Sequence, residues 1–178
     1  MIAQCDFEEG DLLIPYIDEV VSHYFTKIDY SKGFNVKYLN PLIRGTIIPR
    51  IHEIVETNFD TEVIDNPYGF YLYVQNNQHY KSVFHNHRLC KPGTTDSSIT
   101  TTFYLQLPKQ GGGFEICTTP GNMEHNKQFD LQESTLYIFP SWLYHRPMPQ
   151  QDSEYRICFN YDVMTTNRPK FIPGNVVW

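Results

Sequence analysis

The stretch KSVFHNHRLC, residues 81–90, decides how this chain reads, because it sets two histidines, His85 and His87, two positions apart in a run of β-formers. In a strand, side chains at i and i+2 leave the same face, so the two imidazoles project together while Phe84 and Asn86 face the other way. Such a pair can share one cation. Strand histidines are also commonly solvated or hydrogen-bonded, so the pair needs a third ligand before it reads as a metal site. FPSWLYHRP supplies one in His145, far along the chain and just past a turn marked by Pro140 and Ser141. The letters HNH also spell the name of a nuclease motif, but that motif disperses its residues over a ββα-metal unit, and the acidic balance of this chain argues against it.

Farther on, EYRICFNYD alternates Arg156, Cys158 and Asn160 onto one face and Ile157 and Phe159 onto the other. An arginine pointing into a barrel needs an anion. Buried guanidinium is costly unless paired, and its planar fork matches a carboxylate through two parallel hydrogen bonds.

Working outward, the hydrophobic period is two from about residue 69, with strands expected in FYLYVQ, YKSVFHNH, SITTTFYLQL, GFEICTT, STLYIF and EYRICFNYDV. Turn-rich stretches such as KPGTTD and KQGGG separate them. Short strands at this spacing imply a jelly-roll barrel or sandwich. Upstream, DLLIPYIDEVVSHYF sets Leu13, Ile17, Val20, Val21 and Tyr24 on one helical face. In NPLIRGTIIPRIHEIVETNF, Asn40 and Pro41 read as a cap and first turn, Ile51, Ile54, Val55 and Phe59 as an apolar stripe, and Pro49 must kink the helix or start a new one. The expected fold is mainly β with N-terminal helices. One domain spans 1–178, with helical support over 1–68, a β core over 69–163 and an irregular tail over 164–178, Trp178 tucked against the body.

The net charge of −6, from 14 Lys+Arg against 20 Asp+Glu, leaves no basic footprint for nucleic acid. The first residues lack a basic region followed by an apolar run, and no stretch approaches the roughly 18 apolar residues of a membrane span, so no membrane partner is expected and a cytoplasmic location is. Cys5, Cys90, Cys117 and Cys158 form no CxxC pair and read as reduced thiols. His23 and His52 read as helix-packing or surface residues, and His79 and His125 as turn residues.

Over residues 70–163 an ordered set of segments resembles the Fe(II)/2-oxoglutarate-dependent dioxygenases, within them the prolyl-hydroxylase-like and phage-associated oxygenases. HNH stands in the place of that family's H-x-D strand, ITTTFYLQL is similar to the following tyrosine-bearing strand, and GGGFEI resembles its Gly-Gly turn. LYIFPSWLYHRP is similar to the FPS-x-x-x-H segment, and RICFNYDV to the closing R-x-S strand. The resemblance implies a double-stranded β-helix that holds Fe(II) and the cosubstrate 2-oxoglutarate at its open end, with ascorbate as a reductant in vitro and, through the phage relatives, a virus-encoded origin in a host cytoplasm. Carried over by position, His85, His87 and His145 would be metal ligands, Arg156 would grip the distal carboxylate, and Tyr104 would place its hydroxyl on that carboxylate.

Two departures stand out. His87 replaces the acid of H-x-D, which turns a two-histidine, one-carboxylate triad into three histidines, an arrangement also found in cupin-type oxygenases; Asp96 is the alternative third ligand. Cys158 replaces the serine of R-x-S and removes one hydroxyl contact worth about 1 kcal/mol. The implied reaction hydroxylates a C–H bond of a protein side chain or small molecule and releases succinate and CO2. The competing readings are a cupin-like three-histidine metalloenzyme that does not use 2-oxoglutarate and a non-catalytic barrel acting as a binding module. Hydrolysis is disfavoured, because no acid lies near the three histidines in sequence to serve as a base.

Overall fold

The computed structural model describes residues 2–25, 34–36, 40–67, 69–75, 83–87, 98–117, 126–152, 154–167 and 170. The first strand, β1, is Ala3–Asp6; a 3-10 segment, Glu8–Tyr16, then runs into helix α1, Ile17–Phe25. Strand β2, Phe34–Val36, is followed by a π-helical turn, Ile43–Ile47, that passes into helix α2, Ile48–Asn58. The remaining strands are β3 (Val63–Ile64), β4 (Phe70–Gln75), β5 (Ser98–Gln106), β6 (Phe114–Cys117), β7 (Asn126–Phe129), β8 (Thr135–Pro140), β9 (His145–Pro147) and β10 (Arg156–Thr165).

Local chemistry accounts for the helical part. Asn40 Oδ1 accepts from the Leu42 amide at 2.9 Å, as an N-terminal cap should. Pro49 falls in the first turn of α2, where its missing N–H has no intrahelical partner to lose, so the chain answers the proline by ending a π-helical turn and starting an α-helix. Ile51, Ile54, Val55 and Phe59 are all buried, as their spacing predicts. His52 packs: its Nε2 lies 2.9 Å from the Tyr161 hydroxyl.

Among the described residues the strands form two antiparallel sheets. The larger runs β1-β8-β5-β10-β4-β2, with β3 pairing the far end of β10, and the smaller runs β7-β6-β9. One apolar cluster fills the space between the larger sheet and the helices, with Ile51, Val55, Phe70, Leu72, Phe103, Ile157, Phe159 and Val163 among its members. A second cluster, with Tyr104, Phe114, Ile116, Tyr137, Phe139 and Cys158, fills the gap between the two sheets. Each fully buried apolar side chain contributes about 1.5–3 kcal/mol, so both layers matter to stability. The architecture is mainly β with N-terminal helices, a jelly roll, as expected.

Three strand readings change. Of YKSVFHNH, residues 80–82 lie outside the described set, and 83–87 make an isolated bridge at His85 rather than a ladder. The segment around His145 is itself a strand, β9, pairing with β6. Short strands β1, β2 and β3 come from the first 68 residues, so that part supplies sheet edges as well as helices. They were illegible because two to four residues show no measurable period. Of the expected tail, β10 takes 164–165, and most of 168–178 lies outside the described residues. No helix among the described residues is long and apolar enough to cross a membrane.

Candidate metal centre

Residues 83–87 lie alongside β9, and backbone hydrogen bonds join the two segments. The His85 amide donates to the His145 carbonyl and the His145 amide to the His85 carbonyl, each at 2.9 Å, while the His87 amide donates to the Ser141 carbonyl at 2.8 Å. This pairing brings His145 to the two earlier histidines. The ring centroids are 5.4 Å apart for His85 and His87, 4.6 Å for His85 and His145, and 4.9 Å for His87 and His145. One ligand atom from each lies within 4.8 Å of the others. Two nitrogens at about 2.1 Å from one ion are at most ~4.2 Å apart, so only small side-chain rotations separate this cluster from a coordinated one.

Each ring is anchored through Nδ1. His145 Nδ1 meets the Leu143 carbonyl at 2.9 Å, His85 Nδ1 meets the Val83 carbonyl at 3.1 Å, and His87 Nδ1 meets Asp162 Oδ1 at 2.9 Å. Carbonyls and carboxylates accept, so Nδ1 carries the proton on all three rings and Nε2 keeps its lone pair. A metal-binding histidine is held in this way. Burial depresses the pKa of His145 well below its ordinary value, helped by His87 and His85, and burial likewise lowers that of His85. Both stay neutral, the form a cation needs.

Asp162 escaped the sequence reading, although it continues the alternation of Arg156, Cys158 and Asn160. It is 9% exposed, and its Oδ1 accepts from Thr100 Oγ1 at 2.9 Å as well as from His87. Thr100 Oγ1 in turn lies 3.0 Å from Ser141 Oγ, which ties this carboxylate to the turn that holds the His87 amide. An acid does therefore stand beside the histidines, brought there by β10 across the gap between the sheets.

A second polar cluster occupies the same interior. Arg156, 2% exposed, donates from Nε to the Gly112 carbonyl and from Nη2 to the Tyr104 hydroxyl, both at 2.9 Å. Gly112 presents that carbonyl from a turn in which Gly111 and Gly112 have φ of 75° and 70°, a conformation that the GGG run makes cheap. Burial pushes the Tyr104 hydroxyl's pKa up, against the pull of Arg156. Among the described residues no carboxylate lies within ion-pair distance of Arg156. A buried guanidinium in that condition is costly unless an anion meets it. Its charge also helps depress the pKa of His145, so the two clusters feel one another.

Known structures share this architecture. The collagen prolyl hydroxylase of Paramecium Bursaria Chlorella virus-1 superposes with a TM-score of 0.59 at 14% identity, over 93% of this chain and 90% of that one. A prolyl-4-hydroxylase of Pseudomonas putida gives 0.59 at 10% identity over 93% of each chain. HygX of Streptomyces hygroscopicus, solved with nickel and 2-oxoglutarate bound, gives 0.64 at 10% identity, over 93% and 83%. The chain has the fold of the 2-oxoglutarate-dependent iron oxygenases. No protein-family model matches the sequence, and no curated protein matches it.

In this oxygenase fold, the residues singled out from sequence divide cleanly. His85, His87 and His145 come together, as do Arg156 and Tyr104. Asp96, His79, His125 and Cys90 lie outside the described residues. Cys5 and Cys158 are free thiols, as expected.

Proposed function

We propose that this protein is a 2-oxoglutarate-dependent non-haem iron oxygenase that hydroxylates a C–H bond of a protein side chain or small molecule, releasing succinate and CO2. The observation that carries the reading is the placement, in a single interior, of three Nδ1-anchored imidazoles and one buried guanidinium that has no carboxylate partner among the described residues. That donor set suits a ligand with a metal-chelating end and a carboxylate end. The neighbours support it, two being prolyl hydroxylases and one holding nickel with 2-oxoglutarate.

His85, His87 and His145 would hold Fe(II). Bound there, Fe(II) with 2-oxoglutarate supplies the oxidative decarboxylation that drives hydroxylation. The chain's own share is positioning. Arg156 and Tyr104 orient the distal carboxylate, and Asp162 fixes the His87 tautomer and places a negative charge next to a site that has exchanged its carboxylate ligand for an imidazole. Phe114 and Phe139, packed on the His145 ring at 5.1 and 4.9 Å, keep water from that side. Trp142 and Tyr144, three and one residues before His145, are 47% and 42% exposed and are available to a substrate from the surface.

The test is succinate release from 2-oxoglutarate with Fe(II), ascorbate and dioxygen. Succinate is expected from the wild type and none from His145→Ala. Iron binding without succinate favours the three-histidine metalloenzyme that does not use 2-oxoglutarate, and unchanged metal content in His145→Ala favours the non-catalytic barrel.

A further inference from the structure

Gln75 ends β4 directly opposite Arg156 in the antiparallel ladder. Directly opposed residues in such a pair send their side chains to the same face, so the Gln75 amide and the Arg156 guanidinium share the interior between the sheets. Gln75 is 1% exposed. Its Oε1 accepts from the Tyr73 hydroxyl at 3.4 Å, while its Nε2 is buried with no partner among the described residues. A buried amide donor left unmade is destabilising, and such a group calls for a partner that completes it.

The surroundings define that partner's chemistry. Arg156 offers only donors. Tyr104 already accepts from Arg156, which leaves its own proton to give. Cys158 stands opposite Tyr73, one alternation on from Arg156, and a thiol is a weak donor where the resembling strand carries a serine hydroxyl. Donors from three strands thus face the same interior, and among the described residues no acid receives them.

We propose that Gln75 is a cosubstrate-binding residue, its Nε2 donating to the distal carboxylate of 2-oxoglutarate beside Arg156 and Tyr104 and replacing the hydroxyl contact that Cys158 does not make. This rests on the oxygenase reading above. Tyr73 acts as the positioning group, holding the amide with its carbonyl end turned away.

The experiment titrates the full chain, loaded with Mn(II) under anaerobic conditions, with 2-oxoglutarate and separately with pyruvate, which has the same keto-acid end and no distal carboxylate. Gln75→Leu weakens 2-oxoglutarate binding about tenfold or more, as loss of a hydrogen bond to a charged group implies, and leaves the affinities for pyruvate and Mn(II) unchanged. Gln75→Glu sets a carboxylate against a carboxylate and loses more. Gln75→Leu binding 2-oxoglutarate as the wild type does, or losing Mn(II) and pyruvate binding in the same proportion, overturns the assignment of Gln75. A wild-type protein that does not prefer 2-oxoglutarate to pyruvate overturns the oxygenase reading, and Gln75 falls with it.

Discussion

Along β10, Ile157, Phe159, Tyr161 and Val163 pack toward the helices, whereas Arg156, Cys158, Asn160 and Asp162 point into the space between the sheets. Both sets are buried. In the first, Ile157, Phe159 and Val163 are held by packing, where any apolar group of the right volume would serve, and Tyr161 adds a hydroxyl that meets His52 and the Asn66 amide. In the second, each polar group has a particular partner: Arg156 has Gly112 and Tyr104, Asn160 Nδ2 reaches Cys158 Sγ at 3.4 Å, and Asp162 has His87 and Thr100. Burying such groups is unfavourable unless their hydrogen bonds are made, so the polar face is maintained against the tendency that builds the apolar one. Two faces of one strand thereby separate what folds the protein from what equips it.

The sharpest break of that contrast is Phe159→Ala. It should cost about 3–5 kcal/mol in denaturant unfolding, as for a truncated core aromatic, while the molecules that remain folded bind Mn(II) as before. Asp162→Asn should do the reverse. Removing an outer partner of a metal-bound histidine typically costs about 10–100-fold in metal affinity, readable in a Mn(II) titration by electron paramagnetic resonance. Wild-type affinity in this variant would reduce the polar face to packing.

The smallest effect is one of pH. Burial first, then the neighbouring histidines, depress His145 from its ordinary 6.5, and burial depresses His85. Above that value both states are neutral and the shift contributes nothing. As the pH falls below about 6.5 the unfolded chain takes up protons that the folded one refuses, so the metal-free protein should lose stability progressively. A melting temperature of the metal-free protein that holds steady from pH 7 to 5 would contradict this placement of the two rings.

Much of this was legible. The alternation in RICFNYDV announced both faces of β10, and the i, i+2 spacing of His85 and His87 announced a shared direction. Continued one step, that alternation also contained Asp162, but an aspartate two residues past Asn160 reads as a solvated strand end until something is seen to bond it. Gln75 was less accessible still. Its place at the end of FYLYVQ shows burial on neither side, and only its register opposite Arg156 gives the amide a meaning. The segment at residues 83–87 misled in a different way, since strand-like composition there serves a bridge to β9 and two backbone contacts rather than a full ladder.

By itself the sequence determined the periods, the directions in which side chains leave each strand, and a set of residue types suited to metal and carboxylate chemistry, because those depend on neighbours a few positions away. Only the tertiary structure decided which groups meet. The contacts of His145 with His85, Asp162 with His87, and Gln75 with the neighbourhood of Arg156 span long separations in the chain, and strand pairing and sheet curvature set them, not any local preference.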